Sequence, residues 1–124
     1  MTDRSDYRLH LDVKYPPLTR FDVHAIVDAT TDTWWNQSLV TVNDCVARLG
    51  IVHGEFHWHR HEDEDELFYI VSGRLLLDLE DETIELRPGQ GITVPRGVLH
   101  RTRAPEKTVM LMVEGRGVDP EGVD

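Results

Sequence analysis

The side chains that can carry out chemistry are concentrated in one short stretch and at one distant position. His59 and His61 are separated by one residue, Glu66 follows after four acidic residues, and His100 lies behind Pro95-Arg96-Gly97. Imidazole and carboxylate donors without thiolate suit a divalent transition metal (Fe, Mn, Ni, Zn, Co or Cu) better than Ca or Mg. These four side chains are therefore predicted to be the ligands of one such metal.

The spacing of these residues also indicates how they would meet. On a β-strand, the side chains of His59 and His61 leave the same face because they are two residues apart. The acidic run that precedes Glu66 predicts a turn that folds this residue back beside the two histidines. His100 must come from a distant strand, which is natural inside a β-barrel or β-sandwich.

The same alternation makes His57 a further candidate. If His59 points inward, His57 does too, whereas Phe56 and Trp58 point outward. His57 is therefore predicted to be catalytic as a general base, or to act as a neighbour of the ligands or an occasional additional ligand. The alternative is a neutral core histidine that hydrogen-bonds to the backbone.

The elements that must position these residues follow from hydrophobic periodicity. From residue 38 the pattern has period two, as in the run from Leu75 to Leu79, and turn residues separate the runs, which is typical of an all-β sandwich or barrel. We predict a barrel over residues 38–114 and a flexible tail over 115–124. Residues 1–37 are expected to form an N-terminal arm, with a short helix from an N-cap at Thr19 to about Ala29 and with Trp34 and Trp35 in a loop.

Two motifs of this chain resemble those of the cupin superfamily, in particular small single-domain bacterial cupins. The first has the order His-x-His, four residues, Glu, six residues, Gly, and ends at Gly73. The second has the order Gly, five residues, Pro-x-Gly, two residues, His, and runs from Gly89 to His100. The resemblance extends over about residues 40–114.

The resemblance implies a jelly-roll barrel, also called a double-stranded β-helix, that holds one metal through His59, His61, Glu66 and His100. It does not fix the reaction, because cupins include dioxygenases, isomerases, lyases and ligand-sensing domains. We expect a metal-dependent enzyme acting on a small organic molecule, either an oxygenase, which is an oxidoreductase, or an isomerase. The alternatives are a non-catalytic module that binds a small molecule or a metal, and a purely structural metal.

Composition limits the partners. The net charge of −10, with Lys14 and Lys107 as the only lysines, argues against nucleic acid. No apolar stretch approaches the length of a transmembrane helix, and the lone Cys45, expected to be buried, excludes an internal disulfide. The simplest expectation is a cytoplasmic protein. Outward-facing Leu67 and Tyr69 require cover, so the arm, a homodimer or both are predicted to supply it.

Overall fold

Strands dominate the computed structural model, which describes residues 4–124. A single 3-10 turn at Arg4–Asp6 precedes the first strand. The elements are β1 Tyr7–His10, α1 Val23–Asp28, β2 Trp34–Val42, β3 Cys45–Glu55, β4 Glu66–Ser72, β5 Leu75–Asp78, β6 Thr83–Leu86, β7 Gly91–Val94 and β8 Arg101–Gly115. No helix among the described residues is long and apolar enough to cross a membrane. The predicted all-β jelly-roll barrel is confirmed.

The long strand β8 organises the barrel. It pairs antiparallel with β3 along one edge, and on its other edge first with β5 and then with β4. The sheet order is β1-β2-β3-β8-β4-β7, with β6 attached through β5. This arrangement brings Glu66, at the start of β4, and His100, the residue before β8, to the same region of the barrel.

The two faces of the sheet are covered by different parts of the chain. The barrel interior is apolar and includes Trp34, Phe68, Ile70 and Met110. On the outer face, a second cluster lies beneath the arm and α1; its members include Trp35, Leu39, Leu49, Ile51 and Val109, packed against Tyr15, Val23, Ile26 and Val27. The arm therefore supplies part of the cover that the sequence required.

The arm contributes more to the sheet than its sequence indicated. β2 begins at Trp34 instead of at residue 38, so Trp34 and Trp35 lie in a strand and not in a loop. Period-two alternation is hidden here because one tryptophan packs inside the barrel and the other under the arm. The helix is capped by Asp22, whose side chain accepts a hydrogen bond from the Ala25 N–H, and not by Thr19. The first three residues of the predicted arm lie outside the described residues.

Alternation along β4 is as predicted, with Glu66, Phe68 and Ile70 buried. On the opposite face, Leu67 is 36% exposed and Tyr69 is 42% exposed. The arm thus leaves part of this apolar face uncovered, and the homodimer stays a prediction.

The expected burial of Cys45 is wrong, because the residue is exposed. It is the first residue of β3 and pairs with Val42 and Gly115 at the end of the sheet, where neither core cluster extends.

Asp78 at the end of β5 ties this strand to β8. Its carboxylate accepts hydrogen bonds from Arg103 Nε at 2.6 Å, Arg101 Nε at 2.8 Å and the Thr83 hydroxyl at 2.6 Å. The contact with Arg103, more than any other, holds the pKa of Asp78 well below its ordinary value. The carboxylate thus stabilises the folded state at any pH above the ordinary pKa of an aspartate.

We expect Asp78→Asn to lower the free energy of unfolding at pH 7 by about 2 kcal/mol, because hydrogen bonds to a charged group are lost. The folded-state pKa of Asp78 is depressed, so its contribution in the wild type declines progressively as the pH falls from the ordinary value toward the folded-state pKa. Urea unfolding at pH 7 and at pH 3 should therefore show a smaller difference between the two proteins at pH 3. An equal difference at both pH values would contradict this assignment.

Candidate metal centre

The four predicted ligands meet inside the barrel. The donor atoms of His59, His61, Glu66 and His100 all lie within 4.8 Å of one another, and all four residues are buried. His59 and His100 face each other in an antiparallel bridge, in which each backbone N–H donates to the other residue's carbonyl at 2.9 Å. Glu66 enters as the first residue of β4. The predicted convergence of these side chains is confirmed.

Backbone carbonyls fix the orientation of two of the imidazoles. His59 Nδ1 donates to the carbonyl of His57 at 2.9 Å, and His100 Nδ1 donates to the carbonyl of Val98 at 2.9 Å. In each ring this leaves Nε2 as the atom with a free lone pair. In metal-binding histidines, the ring nitrogen that does not bind the metal usually donates a hydrogen bond of this kind.

Three of the four donor residues have a donor atom without a hydrogen-bond partner. Nε2 of His61, Nε2 of His100 and Oε1 of Glu66 are buried and make no hydrogen bond within residues 4–124. Oε1 of Glu66 lies 3.2 Å from His61 Nε2 and 3.6 Å from His100 Nε2. Buried polar atoms are rarely left unpaired, and one cation between them would satisfy all three. The donor set therefore fits a transition metal.

The protonation states also suit metal binding. Burial, reinforced by the neighbouring His100, lowers the pKa of His59 to about 3. Burial alone would raise the pKa of Glu66, but contacts with His100 and His61 outweigh it and lower this pKa to about 2. At neutral pH the imidazole of His59 is thus neutral and the Glu66 carboxyl is ionised, as metal ligands must be.

The acidic turn and the Pro95-Arg96-Gly97 bend are tied together. The N–H of Gly97 donates to the carbonyl of His61 at 2.8 Å, and the N–H of Arg96 donates to Asp65 Oδ1 at 2.9 Å. Gly97 has a φ of 80°, which a residue with a side chain adopts only with strain. These contacts hold the segment that carries His61 and Glu66 close to His100.

Comparison with known proteins agrees with this geometry. The family model described as the cupin domain matches residues 51–114, which contain all four donor residues. The chain is a cupin. It is 42% identical over 91 residues to the uncharacterized protein YdbB of Bacillus subtilis, over 73% of this chain and 80% of that protein.

Two further likenesses differ in extent. A solved cupin-2 domain containing protein from Shewanella frigidimarina shares 29% identity at a TM-score of 0.73, over 77% of this cupin and 93% of that chain. A polyketide synthase protein, CurC of Streptomyces cyaneus, is 44% identical over 45 residues, which are 36% of this cupin and 29% of that protein. The first likeness extends over most of the barrel, whereas the second is local.

A cavity of about 20 Å³ opens beside two of the donor residues of this cupin. Its lining is mostly apolar: Trp34, Phe56, Phe68, Met110, Met112 and Pro120, together with His59, Glu66, Asn36 and Thr102. The outward orientation predicted for Phe56 is wrong, because β3 ends at Glu55 and the alternation does not continue beyond it. Trp58, as predicted, is exposed.

His57 lies next to the donor set, but its ring nitrogens have other contacts. Its Nε2 donates to the carbonyl of Glu121 at 2.7 Å, and its Nδ1 lies 3.3 Å from the Tyr7 hydroxyl. Its own carbonyl supports His59. A catalytic role for His57 stays a prediction; its observed contacts connect the metal centre to the arm and the tail.

The C-terminal segment, predicted to be a flexible tail, has defined partners. Val123 forms an antiparallel bridge with Arg60, next to His59 and His61. Pro120 lines the cavity, and the carbonyl of Val118 accepts a hydrogen bond from Arg48 at 2.8 Å. Residues 118–123 thus form part of the wall of the metal centre.

Arg48 and Glu114 form a buried contact next to the donor set that the two sequence motifs do not include. Arg48 Nε lies 3.3 Å from Glu114 Oε1, and Glu114 Oε2 lies 4.0 Å from His61 Nε2. Burial and the nearby Glu66 carboxylate raise the pKa of Glu114 to about 9, although Arg48 opposes this shift. Alternation along β8 places Glu114 on the same face as Met110 and Met112. A charged residue on such an apolar face is unusual, and this feature of the sequence could have marked Glu114 as part of the site.

Proposed function

We propose that this cupin binds one divalent transition metal and uses it as an enzyme on a small organic molecule, by oxygenase or isomerase chemistry. The observation that carries the proposal is the donor set itself. Nitrogen and oxygen atoms from four buried residues converge, and those of His61, Glu66 and His100 have no hydrogen-bond partner within the described chain. Two of these residues, His59 and Glu66, also line a cavity.

A bound metal would supply Lewis acidity and open coordination positions. The chain's own residues supply the rest. The carbonyls of His57 and Val98 orient two imidazoles, and Glu66 provides the negative charge that offsets part of the cation's charge. The apolar cavity wall excludes water from a bound molecule. A purely structural metal is less well supported, because the barrel already has a large apolar core and the donors open onto a cavity.

The charge of a neighbouring groove also favours a cation. This groove, between the acidic turn and the C-terminal segment, is lined by His61, by four carboxylates and by one arginine: Glu62, Asp63, Glu64, Asp119 and Arg60. Its negative charge would attract a metal cation and would disfavour a highly anionic substrate. The short likeness to a polyketide synthase protein agrees with a small organic substrate.

A non-catalytic binding module is the second candidate, and one observation favours it. Among the residues that line the cavity, those that titrate are His59 and Glu66, and both belong to the donor set. A separate acid–base group is therefore not placed against the cavity. A protein that only binds a metal and its ligand needs no such group.

Metal analysis of protein purified without chelator tests the proposal. We expect one Fe, Mn, Ni, Zn, Co or Cu ion per chain. Iron with oxygen uptake would select the oxygenase type, whereas zinc or nickel without uptake would favour an isomerase or a binding module. When metal is added back to the metal-free protein at a free concentration of about 100 times the Kd of the metal, the free energy of unfolding should rise by about 2.7 kcal/mol. An unchanged Tm with all six metals would contradict the proposal.

A further inference from the structure

Asn36 is a polar residue inside an apolar barrel. It lies in the middle of β2, between Leu9 on β1 and Gly50 on β3, and is 6% exposed. Its Oδ1 is buried and has no hydrogen-bond partner in the described part of the chain. A carboxamide in this environment disfavours folding, because its acceptor oxygen loses water and gains no hydrogen bond in return. A structural role would require a partner, and the structure provides none among residues 4–124.

The amide lines the same cavity as the metal donors. Asn36, His59 and Glu66 share this space with a mostly apolar wall. Across from Asn36, a Cβ on Gly50 would lie 3.0 Å from the Met110 side chain and 3.1 Å from that of Met112. These two unbranched side chains fill the space above Gly50 and can rearrange around a ligand.

We propose that the Asn36 amide recognises the small molecule whose other end binds the metal. The inference rests on the proposed function, because it requires a metal held by the four donors. A carboxamide can donate or accept a hydrogen bond, so it fits a carbonyl, hydroxyl or amide of the bound molecule.

The cavity also defines the chemical class of this molecule. Lysine and arginine are missing from the lining residues, so a second anionic group would be buried without a counter-charge. The free volume of about 20 Å³ is little more than one water molecule occupies, so a ligand must be compact and must displace the side chains of Met110 and Met112. The ligand is thus a small metal-binding molecule with at most one negative charge, a compact apolar body and one further hydrogen-bonding group.

Acetohydroxamic acid, a compact oxygen chelator with an additional N–H, is a suitable probe. The cobalt(II)-loaded protein would be titrated with it while the visible absorption of the metal is followed. We expect Asn36→Leu to weaken probe binding by about tenfold or more, to bind cobalt normally and to raise the Tm of the metal-free protein. Ser38→Ala, a change at the next buried residue of the same strand face and outside this cavity, should leave probe affinity unchanged.

The outcomes separate this inference from the proposed function. Unchanged probe affinity in Asn36→Leu with normal cobalt binding would overturn the role of Asn36 alone. A lower Tm of metal-free Asn36→Leu would show a structural role and would also overturn it. A wild-type protein that binds cobalt but not the probe would refute the ligand class. Failure of the wild type to bind cobalt would contradict the proposed function and remove this inference with it.

Discussion

Glu66→Gln is expected to lower the affinity for a divalent transition metal by at least about 100-fold, since loss of a residue that only supports a ligand already costs 10- to 100-fold. Glu66 is the only carboxylate in the donor group, and its buried Oε1 lies within 3.6 Å of two imidazole nitrogens. Glutamine keeps the size of the side chain but removes the charge that offsets the cation. Metal titration followed by elemental analysis after dialysis measures the effect.

Glu114→Gln is the matched control. Glu114 also has a buried carboxyl group, and its Oε2 lies 4.0 Å from His61 Nε2, but it does not belong to the group of converging donors. We expect a clearly smaller loss of affinity for this variant. Equal metal content in wild type and Glu66→Gln would remove Glu66 from the ligand set, and equal losses in both variants would extend the set to Glu114.

Gly73→Ala is expected to lower the free energy of unfolding by about 3 kcal/mol, as the sum of backbone strain and overpacking. Gly73 has a φ of 86°, and a Cβ there would lie 2.5 Å from the carbonyl oxygen of Lys107 and 2.7 Å from the Cα of Thr108. Because these atoms belong to the backbone, the clash cannot be relieved by a side-chain rotation. Urea unfolding of the two proteins measures the difference.

Gly89→Ala separates the two contributions. Gly89 has nearly the same φ, 84°, but a Cβ there would meet no atom of residues 4–124 within 4 Å. Only the strain remains, so we expect a loss of about 1 kcal/mol. If the two variants were equally destabilised, close packing would not be the reason for glycine at position 73.

The convergence of the four donor residues could be predicted from the sequence because their types and spacings carry the information locally. His59 and His61 lie on one short segment, and Glu66 follows a turn made of charged residues. The support of this site could not be predicted in the same way. The carbonyls of His57 and Val98 fix the imidazoles, and their direction depends on irregular backbone between strands.

The other differences between the sequence-based expectations and the structure have three separate causes. Arg48 and Glu114 meet because β3 pairs with β8, and no local pattern determines that register. The sequence predicts a loop at Trp34 because a strand that is buried on both faces shows no alternation of apolar and polar residues. The predicted outward orientation of Phe56 is wrong because it assumes that strand alternation continues beyond Glu55, where β3 ends.

The contacts of the last residues have a practical consequence for handling the protein. Val123 pairs with Arg60, and the carbonyl of Glu121 accepts from His57. A polyhistidine tag fused after Asp124 would therefore place additional imidazoles at the rim of the metal cavity, where they would compete for the same ion. Truncation of the chain before residue 118 would remove the part of the cavity wall that contains Pro120. An affinity tag at the amino terminus, cleaved before metal analysis, avoids the first of these artefacts.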